Sequence, residues 1–388
     1  MEYDIIIVGA GPAGLATGLN LAQSAPDLAQ RTLILEREHH PRSKLCAGGV
    51  LPGAEACLRK LGLDISAVPS VPVREMHLRF DGRSAVLRRE PACFRVVRRE
   101  QFDAWLADTA RERGLAIQEG TRVLEVCPPH TPGHKAGGDG PDGLVTVRTD
   151  RGAYRTRAVV GADGAQSTVR RAVVSTQARQ VARLLEVRLP VAAEARNGGD
   201  GRAIFDFSWI PDGVQGYLWD FPSQGGGRAE RTWGVYDSRT YRRVPTASLK
   251  PVLQGALARA GESLDQHKLE GHSLRWFRRR GTFAAPHILL AGDAAGTDSL
   301  VGEGISFALG YGEVAAAELR DAFAEREFSF GGYRRRIMAH QIGRSLSRRA
   351  VGAALLYGLR NRRLLWLLWP LIGWAADHFF FGRDWCAE

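Results

Sequence analysis

The stretch YDIIIVGAGPAGLATGLNLAQ, followed by RTLILERE, leaves few folds open to this chain. An unbroken apolar run without polar alternation is the pattern of a strand covered on both faces. It leads directly into Gly9, Gly11 and Gly14. At that spacing a tight turn, a close backbone approach and a helix packed on a strand each call for a residue without Cβ. A helix of small residues and a second buried strand ending at Glu36 complete a βαβ unit. The helix N-terminus then presents unpaired N–H groups to a pyrophosphate, and Glu36 stands where a carboxylate accepts hydrogen bonds from an adenosine ribose. Glycine spacing alone is weak grounds; the ordered set of strand, turn, helix and acid predicts dinucleotide binding.

Further along, MHLRFDGRSAVLRR alternates as strands do, and a helical stretch places Phe102, Leu106 and Ala110 on one face. Residues 128–143, rich in Pro, Gly and Asp, read as a solvent loop between hairpin strands. From about 184 to 280 the pattern is one of short alternating strands. HILLAGDAAG then returns to the buried parallel style and leads into a long helix. The expected fold class is therefore α/β: a Rossmann-like dinucleotide domain (1–75, 93–180 and 281–330), interleaved with a mostly antiparallel β-sheet substrate domain (76–92 and 181–280). A helical C-terminal tail (331–388) follows.

A chain of 388 residues with 44% hydrophobic residues buries a sizeable core. The net charge of +11 fits either anionic partners or an arginine-rich coding bias, and both readings stay open. Nucleic acid is not expected as a partner. The five cysteines form no CxxC pair, which points to neither a zinc site nor a disulfide framework. A reducing cytoplasm suits them, and the direct entry into a strand argues against a secretory leader. The tail segment NRRLLWLLWPLIGWAADHFFFG contains Pro370, Asp377 and His378, poor company for a membrane span. Two alternatives remain for it. It lies peripherally on the inner membrane face, with Arg360, Arg362 and Arg363 at phosphate head groups and the Leu and Trp run 364–369 at the acyl boundary, or it packs on the body and covers a substrate channel.

Two more motifs, VVGADGAQSTVRR (159–171) and ILLAGDAAGTDSLVGEGI (288–305), complete a triple. Together with the first they resemble the glutathione-reductase-type FAD proteins of the p-hydroxybenzoate hydroxylase superfamily, and within these the geranylgeranyl reductase family, over roughly residues 1–330. The resemblance implies FAD as cofactor, held by Gly9, Gly11, Pro12, Ala13, Gly14, Glu36, Arg37, Cys46, Ala47, Gly48, Arg99, Val123, Asp163, Gly164, Gly292, Asp293, Gly302, Glu303, Gly304 and Ile305. Asp293 would meet the ribityl chain and Asp163 the pyrophosphate region. Arg99, in a match to an R-x-x-F-D element, would reach the flavin or its phosphates; beside Arg98 and Glu100 it also reads as part of a solvated face. The helix opening at 302–305 would aim its N-terminus at the flavin ring, favouring the anionic reduced form.

The segment KLCAGGV matches the family's Cys-Gly-Gly element with an alanine inserted, and Cys46 is either a thiol beside the flavin or a buried structural one. Cys57, Cys93, Cys127 and Cys386 read as structural. A Y-x-W-x-F-P signature places Tyr217, Trp219 and Phe221 on one strand face, as a substrate wall or as plain sheet packing. Two departures touch the reaction itself: the G-x-G expected after the FP pair is reduced to Gly234, and Ser299 replaces a proline before Leu300 in a motif one residue shorter.

The expected activity is an FAD-dependent oxidoreductase that passes electrons from NAD(P)H, docked transiently, or from another donor to an apolar unsaturated, prenyl-like substrate. Cys46 is its candidate catalytic proton donor. A flavin monooxygenase and a flavoprotein delivering electrons to a redox partner protein in cofactor biosynthesis are the alternatives.

Overall fold

The computed structural model describes residues 3–129, 143–174, 181–191, 201–241 and 246–380. Its nucleotide half is a six-stranded sheet in the order Ala284–Ala285, Ile288–Leu290, Ala158–Gly161, Ile5–Val8, Thr32–Leu35, Ala116–Gln118. All neighbours are parallel except the Ala284–Ala285 edge. Ile5, Ile6 and Ile7 are fully buried, as an unbroken apolar strand between two helical layers must be. The helices Pro12–Ser24 and Ile305–Glu325 cross closely: a Cβ added to Gly312 would stand 2.5 Å from the Ala16 Cβ. This contact brings the first and third motifs together.

The second half is a seven-stranded sheet in the order Glu270–Leu274, Ala182–Pro190, Arg228–Asp237, Gly216–Gly225, Arg202–Asp206, Glu75–Phe80, Arg83–Arg88. One contact in it, Arg202–Asp206 with Glu75–Phe80, is parallel; the others are antiparallel. Between the hairpin strands Val123–Cys127 and Val145–Thr149, residues 130–142 lie outside the described residues, as does Cys386.

Two expectations need correction. The stretch read as short strands up to 280 contains a helix, Leu249–Arg259. Leu249, Val252, Leu253 and Leu257 fall at helical spacing and seal the outer face of the sheet against Val187, Leu218 and Val235. In the tail, Trp369 is in the core and not at a lipid boundary: its indole N–H donates to the Leu78 carbonyl at 2.9 Å and its ring stacks on Phe80. Arg362 is paired with Asp81 and Asp212 at 2.7 Å, so it is not available for head groups. The helix Arg362–Ala375 buries Leu365, Trp369 and Gly373 on the sheet while Leu364, Leu367 and Leu371 face outward.

Candidate cofactor and substrate site

A cavity of about 820 Å3 runs between the carboxyl end of the parallel sheet and the inner face of the seven-stranded one. At its first end the three glycines of the opening motif have different causes. Gly9 has φ of +103°, and an added Cβ would stand 2.5 Å from the Ala162 carbonyl oxygen. Gly14 would place a Cβ 1.9 Å from the Gly9 oxygen. Both are required by the chain's own packing. Gly11 has ordinary extended backbone, and its nearest obstacle, the Arg42 Nη2, is 3.5 Å away. It opens on the cavity, a cradle that a side chain would fill.

Gly14, expected among the cofactor contacts, is therefore not on the cavity wall; it lies beneath the turn, where helix and strand touch. Gly9, Gly11, Pro12, Ala13, Glu36, Arg37, Val123, Asp163 and Gly164 all line this end. Glu36 is buried and organises the turn: its Oε2 accepts from the Ala10 N–H at 2.9 Å and its Oε1 from the Glu38 N–H at 3.1 Å. Asp163 Oδ2 accepts from the N–H groups of Thr168 and Val169, whereas the buried Oδ1 has no partner. Burial pushes the Asp163 carboxyl above the usual range. An open glycine cradle beside an unsatisfied buried oxygen fits the pyrophosphate and ribose of a dinucleotide.

The same cavity is lined by Cys46, Ala47 and Gly48, by Gly292 and Asp293, and by residues 302–305. Arg99 is 9% exposed and forms a two-pronged pair with Asp103, both bonds 2.8 Å, which settles it as a buried cation and not part of a solvated face. Burial opposes its charge, and Asp103 more than restores it. Burial also raises the Asp293 carboxyl, against the pull of Lys44 and Arg99. The Cys46 Sγ accepts from the Gly48 N–H at 3.4 Å.

Lys44 and His272, which the sequence did not single out, face each other at 2.8 Å. Burial lowers both; His272 falls to about 4, with Lys44 and Arg99 adding to the effect, so its ring is neutral at pH 7. The helix after Gly304 is not wholly open at its N-terminus: the Ser306 N–H donates to Glu303 Oε1 at 2.8 Å. Burial pushes Glu303 up to about 7.

The segment 298–301, where the sequence departs from the family pattern, is fixed from outside the nucleotide domain. Tyr217 donates to the Val301 carbonyl at 2.7 Å, Tyr236 to that of Ser299 at 3.2 Å, and Tyr357 to that of Leu300. Arg349, 2% exposed, pairs with buried Asp298 at 2.9 Å. Two of these groups come from the C-terminal helix Gln341–Gly358, too distant in sequence for spacing to reveal.

At the far end Tyr217, Trp219 and Phe221 do share a face, all at most 6% exposed, and line the cavity. Phe205 and Tyr236 join them: Phe205 lies 4.8 Å from Phe221 and 5.1 Å from Tyr217, centroid to centroid. Gly234 has a local cause. A Cβ there would stand 2.1 Å from the Trp219 ring, so the glycine lets the indole lie across its neighbouring strand.

A doubly covered parallel sheet, a glycine cradle at its carboxyl end and a second sheet closing the cavity define a dinucleotide-dependent α/β enzyme. Residues 2–302 match the FAD binding domain family, and the chain belongs to it. It is an FAD-dependent oxidoreductase. The menaquinone reductase of Mycolicibacterium smegmatis is 28% identical over 334 residues, 81% of this chain and 75% of that protein. The geranylgeranyl diphosphate reductase of Rhodobacter capsulatus is 26% identical, over 81% and 74%. Among solved structures, a geranylgeranyl bacteriochlorophyll reductase-like protein from Thermoplasma acidophilum superposes with a TM-score of 0.78 at 20% identity, covering 99% of this chain and 94% of that one.

Proposed function

We propose that the protein reduces a carbon–carbon double bond of an apolar, prenyl-like substrate, using NAD(P)H that docks transiently as the electron source. The observation that carries this reading is the five-ring wall of Phe205, Tyr217, Trp219, Phe221 and Tyr236, in one cavity with the glycine cradle and Cys46. Bound FAD supplies the two-electron redox chemistry. The cradle at Gly9 and Gly11, with Asp163 and Glu36, holds the dinucleotide portion; Asp293, Arg99 and the 302–305 turn orient the flavin end. The rings exclude water and align an extended hydrocarbon by area alone, which suits a substrate with few polar handles. Cys46 is the proton donor to the substrate carbon. The similarity to the prenyl and menaquinone reductases supports the substrate class.

The test is anaerobic. NADH or NADPH should bleach the flavin, and geranylgeranyl diphosphate or a prenylated naphthoquinone should restore its colour with saturation of one double bond. A requirement for oxygen would favour monooxygenation instead. Cys46→Ala should keep its flavin and slow reoxidation by roughly 100-fold or more.

We also infer that the outward face of the last helices rests on a lipid surface, where such an apolar substrate resides. Val351, Leu355, Leu364, Leu367, Leu371, Trp374 and Phe379 are exposed there, beside exposed Arg360 and Arg363, the composition of an interfacial helix. Among the described residues no helix is long and apolar enough to cross a membrane. Because the opposite face of this tail belongs to the core, the test is a surface variant and not a truncation. Leu367→Glu with Leu371→Glu should retain flavin and lose sedimentation with anionic phospholipid vesicles; unchanged sedimentation refutes the inference.

A further inference from the structure

The ring-bearing sheet also turns polar side chains to the cavity, His272, which meets Lys44 at 2.8 Å, and Glu186. Glu186, on the strand Ala182–Pro190, lies directly opposite Gly234, and Gly234 lies directly opposite Trp219. The three residues form one row across three strands, with side chains on the same face of the sheet. The glycine leaves the middle of the row open, and the indole lies across it. Glu186 is 1% exposed and lines the cavity, yet neither carboxyl oxygen has a hydrogen-bond partner. The Arg188 Nε, 3.6 Å from its Oε1, is beyond hydrogen-bond distance. The Trp219 Nε1 is equally buried and equally unpartnered. Buried polar atoms are nearly always satisfied, and here a donor and an acceptor go unsatisfied in the same row of a cavity wall.

We propose that Glu186 and the Trp219 indole N–H form a polar subsite that takes the oxygen of a neutral hydroxyl or carbonyl group carried by the otherwise apolar ligand. This rests on the reading of the ring wall as the substrate side. A diphosphate does not suit the place, because an ionised Glu186 would meet it as a like charge. A hydroxyl suits either state of the carboxyl, whereas a carbonyl needs donors: the indole N–H and a protonated Glu186. Burial pushes Glu186 up to about 7; Arg188 and Arg98 act to lower it, Glu270 and Glu100 to raise it. Both forms are therefore available near neutral pH.

The experiment uses the flavin-loaded protein and reads binding from perturbation of the flavin absorbance, without turnover. The probes are geranylgeraniol, a prenylated naphthoquinone and the corresponding hydrocarbon with no oxygen. Wild type should bind the two oxygen-bearing probes about tenfold more tightly than the hydrocarbon. Glu186→Leu and Trp219→Phe should each remove most of that preference. Glu186→Gln, which is isosteric and safe for folding, should keep it. For the quinone the preference should fade as pH rises through about 7 and lose this pH dependence in Glu186→Gln; for the alcohol it should persist, which tells the two oxygen sources apart. A preference unchanged in Glu186→Leu and Trp219→Phe overturns the subsite while leaving the ring wall standing. Loss of flavin from Glu186→Gln assigns the pair to the cofactor and overturns it as well. Failure of all three probes to bind wild type overturns the wall reading and the subsite together.

Discussion

The two ends of the cavity are built from different materials. The nucleotide end is made of main chain: Gly9 and Gly14 are fixed by contacts of 2.5 Å and 1.9 Å that no Cβ tolerates, and Gly11 leaves open backbone. The opposite end is made of side chains: five rings, with Leu184, Leu274, Glu186 and His272 of the same sheet. Backbone recognition demands particular residues at particular positions; an apolar wall demands area, which many side chains supply. On the proposed assignment of the two ends, the first holds one kind of cofactor while the second is free to vary with its substrate. Between them the 298–304 turn is tied to the sheet by its tyrosines and to the tail by Arg349.

The sharpest separation of the two materials is a pair of alanines in the same motif. Gly14→Ala forces a backbone collision and should lower stability by about 3 kcal/mol or more, read as loss of soluble folded protein. Gly11→Ala meets no obstacle and should melt like wild type while FAD binding weakens ~100-fold, measured by flavin release on dilution. Equal effects of the two would break the distinction. Next in size is the junction. Arg349→Leu leaves Asp298 buried without its cation and should cost about 3–5 kcal/mol in chemical denaturation.

Glu303 then gives a pH signature. Its carboxyl is raised from the ordinary 4.5 to about 7 in the folded chain. The folded state thus keeps a proton that the unfolded state releases, and the stability this contributes is present below pH 4.5 and lost as pH rises to about 7. Thermal melts of the flavin-free protein from pH 5 to 8 should show this decline, with up to ~3 kcal/mol assignable to Glu303, and Glu303→Gln should remove that share while Glu186, also raised to about 7, keeps a decline of its own. A decline in the variant as steep as that of wild type would refute the assignment. The smallest effect belongs to Tyr217→Phe, which removes the donor to the Val301 carbonyl and should cost about 1 kcal/mol.

This contrast in materials also decides what the sequence discloses. The parallel sheet, its interruption and the three motif turns are legible because each glycine and acid answers a main-chain demand that recurs wherever the fold does. The Tyr217, Trp219 and Phe221 face is legible because a strand has a period of two. Glu186 and His272 escape notice because they share their strands, ARLLEVRLP and EGHSL, with other polar residues and look like solvent-facing positions. Arg349 and Tyr357 escape for another reason: their partners are some fifty residues away, and nothing local marks the pairing. The tail divides similarly, since Trp366 and Trp369 read alike in the sequence and only packing shows which is half exposed and which is core.

The central claim, that cofactor and substrate occupy opposite ends built from backbone and from rings, is tested most directly by anaerobic reoxidation of reduced, flavin-loaded Trp219→Ala with a prenyl substrate. The account predicts flavin content equal to wild type and a half-saturating substrate concentration raised about tenfold, from the lost ring area and the lost N–H. Loss of flavin, or half-saturation unchanged from wild type, would contradict it.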